Sequence, residues 1–315
     1  MVHLISRNMP GPKPTDELTD MAGVRQDRNL MEYLFAPSYC TQYTRKKCYD
    51  EYASNLEACY VEHNADRTIS VGSDSCRIHI TQLHLDLPYA DPFTYLIPGR
   101  PARDIYKGLF WKRGDLVYFD RADKGVEGWS LRKDSDHSRK KHQYFPKITA
   151  DYPDFPWAIP VNHGLHRIAE IELTNQLGNT VKAFDRMLAN TYSEVGLGRC
   201  QIVTDYHEGQ FRLVFTSTDT SGATHANLSG PVAYSDMTMA IPSRINPHRD
   251  IHVYYSGRFL CEHIETMVNL HRDAIMTIYS GDDGLSTEVV TEEASHIYVQ
   301  MPMVKPKHAD MHPVF

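Results

Sequence analysis

Two histidines and an aspartate alternate in His248-Arg249-Asp250-Ile251-His252. On a strand, residues two apart share a face, so His248, Asp250 and His252 would project together. Two imidazoles and a carboxylate form a ligand set for zinc or another divalent metal with an open coordination position, as a metal-dependent hydrolase requires. The same spacing describes a polar strand face next to Pro247, and the sequence supplies neither a second shell nor a general base for the metal.

A second set is Cys59, His63, Cys76 and His79, four groups of the kind that hold structural zinc in a tetrahedron. Their spacing matches no finger pattern, and buried reduced cysteines are the preferred explanation. His84 and Asp86 alternate on the strand expected over Arg77–Leu87, where they would lend the hydrolase a second pair of polar groups or form the wet side of an edge. His79-Ile80-Thr81 has the His-x-Thr form of one phosphoesterase class, but that chemistry needs a second facing copy and none is present. Gly281-Asp282-Asp283 resembles the carboxylate turn of RNA-dependent RNA polymerases over three residues only; a glycine-rich hairpin turn accounts for it. The chain has no phosphate loop, dinucleotide fingerprint, nucleophile elbow or His-Glu-x-x-His helix. No catalytic residue and no cofactor other than such a metal is assigned.

The elements that must position these groups read as mixed α and β. Val181, Phe184, Leu188, Tyr192 and Val195 recur at intervals of three and four, predicting a helix capped by Asn179 and stopped at Gly196. Cys200–Tyr206 and Phe211–Phe215 alternate around His207-Glu208-Gly209, which predicts a hairpin. Further hairpins are expected over Leu109–Leu131 and around Ser280–Gly284, strands over Arg77–Leu87 and Ile297–Met303, and a helix over Arg258–His271. Residues 38–63 read as a helix with Cys48, Tyr52, Leu56 and Cys59 near one face. Prolines 146, 153, 156 and 160 predict an extended segment pinned down by Phe155 and Trp157.

The fold class expected is therefore α+β, a β-rich antiparallel sandwich of jelly-roll type with inserted helices, or alternatively a two-domain α+β chain. The expected divisions are an arm at 1–36, an α+β region at 37–150, a sandwich-like domain at 151–304 and a tail at 305–315.

The 315 residues carry a formal charge of −7, which argues against nucleic acid as a main partner, because phosphate binding calls for a clustered positive field. There is no stretch of 18 apolar residues to cross a membrane and no apolar leader, so an intracellular or virion location is expected. Seventeen histidines could reverse the sign of the protein on acidification. A docking arm, a proline-rich strap, many tyrosines and the missing catalytic motifs together predict a structural protein. It would be a subunit of a viral capsid or other large complex that assembles with itself or with other subunits. The alternative is the metal-dependent hydrolase.

Overall fold

The structure is a computed structural model. It describes residues 24–26, 28–41, 56–63, 67–84, 93–107, 116–121, 128–134, 141–146, 152–155, 165–191, 199–205, 210–215, 237–242, 244–245, 254–281 and 284–302.

Among the described residues one unit of secondary structure occurs four times: a strand, a helix, then three more strands. The first copy is β1 (Val24–Gln26), α1 (Arg28–Phe35), β2 (Ala58–His63), β3 (Thr68–Ser73) and β4 (Arg77–Leu83). The second is β5 (Phe93–Pro98), α2 (Gly99–Tyr106), β6 (Leu116–Arg121), β7 (Gly128–Asp134) and β8 (Lys141–Pro146). The third is β9 (His166–Glu172), α3 (Asn175–Thr191), β10 (Arg199–Asp205), β11 (Gln210–Phe215) and β12 (Met237–Pro242). After the two-residue β13 (Arg244–Ile245) comes the fourth, β14 (Tyr254–Ser256), α4 (Gly257–Leu270), β15 (Ile275–Gly281), β16 (Gly284–Val290) and β17 (Ala294–Gln300).

The copies exchange their first strands. β1 joins the sheet of the second copy, in the order β1-β6-β7-β8, and β5 joins the sheet of the first beside β2. In the same way β14 pairs with β10, giving β12-β11-β10-β14, and β9 pairs with β15. Every pairing assigned a register is antiparallel. The expected α+β class with antiparallel sheets is what forms. Its strand order is not that of a jelly roll, because each sheet is closed by a strand borrowed from the neighbouring repeat.

Contacts divide the chain into two compact units, Met1–Val161 with Val290–Val299, and Asn162–Val289 with Gln300–Phe315. In the first unit β17, from the far end of the chain, lies beside β4. The back of this sheet is apolar: Ala58, Tyr60, Ile69, Val71, Ile78, Ile80 and Val299 pack with Tyr152 and Phe155. Tyr60 stacks on Tyr152 at 5.3 Å between ring centres and meets Phe155 at 5.8 Å. Phe155 thus pins the proline-rich segment; Trp157 is outside the described residues.

The second unit buries Ile168, Ile171, Met276, Ile278, Leu285 and Val289 of β9, β15 and β16 beneath α3 and α4. Period-two alternation on β15 and β16 puts these side chains on one face, as a half-buried sheet requires.

Residues 38–63 are not one helix. A 3₁₀ segment, Ala36–Cys40, starts the stretch, and β2 ends it from Ala58. Tyr60 and Val61 favour a pleated surface, and alternating Ala58/Tyr60 against Cys59/Val61 suits two buried faces better than one helical stripe. The third helix starts at Asn175, earlier than its apolar periodicity suggested, because Thr174 supplies the cap: its Oγ1 accepts from Leu177 N at 3.1 Å. The hairpins hold: Cys200 faces Phe215, and Gly281 faces Gly284.

Candidate functional site

The features repeated in both units are the paired helices. In the second unit α3 lays Leu177, Gly178 and Val181 against α4, whose Leu260, Ile264, Met267 and Val268 are buried. Gly178 permits the approach, since a Cβ there would lie 2.9 Å from Val268 Cγ1. Ser256 caps α4, its hydroxyl accepting from Phe259 N at 3.4 Å. His263 is fixed on the sheet side by Thr287, Nε2 to Oγ1 at 2.6 Å.

The outward surface of this pair is polar and mixed in sign. Arg186 and Arg258 are exposed. Lys182 Nζ bridges the helices to Glu265 Oε1 at 3.4 Å. Asp185 lies among Arg258, Glu262 and Glu265; burial, more than those neighbours, raises its carboxyl above the ordinary range.

In the first unit Arg103 on α2 holds the 3₁₀ segment by its main chain. Nε donates to Ser38 O at 2.9 Å, and Nη2 donates to Tyr39 O at 3.0 Å and to Thr41 O at 3.1 Å. Gly99 opens α2, donating to Glu57 O at 2.6 Å; any side chain there would collide with the Thr41 hydroxyl. Ala102 and Ile105 face inward, while Arg100 and Lys107 are exposed.

The helix-facing side of the first unit's sheet is polar for a buried surface, carrying Thr68, Ser70, His79, Thr81 and His296. His79 Nε2 lies 3.2 Å from His296 Nδ1, and Thr81 Oγ1 lies 2.9 Å from the same nitrogen. In the turn between β3 and β4 Asp74 Oδ1 accepts from Cys76 N and Arg77 N, and Arg77 donates to Tyr39 O while covering the Tyr39 ring at 5.5 Å.

His248, Asp250 and His252 lie outside the described residues. So do Asp86, Asp282, Asp283 and the side chain of His63. Cys59 is buried in β2, where burial pushes its thiol well up, and Cys76 is exposed in the β3–β4 turn. β3 separates β2 from β4, so Cys59 and His79 are not on neighbouring strands. Among the described residues no three His, Cys, Asp or Glu side chains converge as metal ligands. His84 is exposed and its Nε2 lies 2.7 Å from Ser295 Oγ. The helix cations carried no motif that sequence reasoning could have found.

No protein-family model matches this sequence, and no curated protein does. Solved structures do. The β subunit of DNA polymerase III from Pseudomonas aeruginosa superposes with a TM-score of 0.63 at 12% identity, over 93% of this chain and 69% of that one. A putative β subunit from Eubacterium rectale gives 0.64 at 10% identity, over 93% and 68%. The β subunit from Thermotoga maritima gives 0.59 at 14% identity, over 95% and 69%. The fold is that of the DNA polymerase sliding clamps. At these identities the likeness concerns the fold. It overturns the capsid-subunit and virion expectation, whose architectural ground was the jelly roll, and equally the metal-hydrolase alternative. It also overturns the dismissal of nucleic acid as a partner, which rested on net charge, because the matched structures are DNA polymerase sliding clamps. Among the described residues no helix is long and apolar enough to cross a membrane.

Proposed function

We propose that this chain is the subunit of a sliding clamp, a ring of several copies that encloses duplex DNA inside the cell and holds a polymerase to it. The observation that carries this reading is the fourfold strand–helix–three-strand repeat with exchanged first strands, in a chain matched to polymerase clamps over nearly its whole length.

In this reading the two helix pairs line the bore. Arg100, Lys107, Arg186 and Arg258 meet phosphates, while Asp104, Asp185, Glu262 and Glu265 keep the lining close to neutral. Such a surface binds DNA weakly and without sequence preference, since phosphate contacts carry no base information. A ring needs no more than this, because enclosure replaces affinity.

Ring closure follows from the repeat. β4 and β17, the last strands of the first and fourth copies, lie side by side. β8 and β12, the last strands of the second and third, are sheet ends among the described residues. Joining β8 of one chain to β12 of the next pairs these two edges and gives a head-to-tail contact that can close on itself.

The test combines native mass spectrometry with topological capture. Cysteines placed on β8 and β12 and bridged by a short bis-maleimide should yield a closed oligomer of fixed size. Closed in the presence of circular plasmid, it should stay on the plasmid and leave when the plasmid is cut. A monomer, an open ladder, or retention indifferent to cutting would refute the reading.

A further inference from the structure

We draw no further inference here: the strongest candidate, the exposed side-chain pair of His84 just after β4 and Ser295 on β17, with Oγ 2.7 Å from Nε2, carries nothing, because among the described residues no third group orients the imidazole as nucleophilic chemistry requires, and the pair stands as a surface hydrogen bond.

Discussion

Gly178 of α3 sits so close to Val268 of α4 that a Cβ on it would lie 2.9 Å from Val268 Cγ1. A glycine inside a helix costs roughly 0.5–1 kcal/mol relative to alanine, so close approach of the helices must offset that cost. The contact sets the sign of a substitution. Gly178→Ala gains helix propensity but forces a stiff β-branched neighbour to move, with an overpacking cost of about 1–3 kcal/mol. The expected net effect is a loss of about 1 kcal/mol in urea unfolding. In a Val268→Ala background the clash is gone, and the same change should stabilise that variant by about 0.5–1 kcal/mol. A stabilising Gly178→Ala in the wild-type background would show that the helices are not in contact here.

Arg103 is the corresponding fixed point of the first unit, with three main-chain carbonyls on one guanidinium. Hydrogen bonds to charged groups contribute about 1.5–3 kcal/mol each and do not add in full, so Arg103→Ala should cost roughly 2–4 kcal/mol. Lysine cannot reproduce the planar fork, and Arg103→Lys should recover less than half of the loss. Hydrogen exchange localises the effect. The Thr41 amide, which donates to Ser38 O at 3.2 Å, should lose protection first.

Asp185 gives a pH-dependent prediction. Burial raises its carboxyl, Glu262 and Glu265 act in the same direction, and Arg258 opposes them. Its Oδ1 is buried without a hydrogen-bond partner among the described residues. The folded protein holds this proton more tightly than the unfolded chain does. The favourable contribution is therefore full below the ordinary aspartate value of about 3.9 and is lost as pH rises through the raised value. At neutral pH the ionised group is a liability. Asp185→Asn should be more stable than wild type at pH 7.5, and the difference should close as pH falls towards 4. Equal differences at both pH values would mean that the carboxylate is not desolvated.

Much of the architecture was legible in the chain, and its limits have physical causes. Period-two alternation located β10, β11, β15, β16 and β17, and a three–four apolar rhythm located α3 and α4. The repeat was not legible, because it lives in strand exchange: β1 pairs with β6 and β5 with β2, across gaps that no local pattern encodes. The helix read over 38–63 carried its apolar stripe through Cys59, whereas a two-faced strand begins at Ala58. The histidines were counted as a charge reservoir. That His79 and His296 are neighbours is a consequence of β17 lying beside β4, which no local pattern encodes. The error over nucleic acid came from equating DNA partners with positive charge. That equation holds for proteins that bind by affinity; in the proposed ring, enclosure would take its place.

The lining itself can be tested through salt. If Arg186 and Arg258 meet phosphates, replacing both with glutamine should weaken DNA association of the assembled protein at low salt. Each lost phosphate contact should flatten the slope of log K against log salt by about 1 per copy. Both side chains are exposed, so the change in unfolding stability should be small, and what there is should come from Arg258, which attracts Asp185. Arg272 is also exposed, but it follows α4 in the turn before β15, and Arg272→Gln serves as the control with an unchanged slope. The measurement is anisotropy of a labelled duplex from about 20 to 200 mM salt, where such contacts are strongly salt-dependent. A slope that responds equally to all three positions would place the DNA surface elsewhere than on the paired helices. A slope that responds to Arg186 and Arg258 alone would tie the helix layer to DNA, independently of whether the ring closes through β8 and β12.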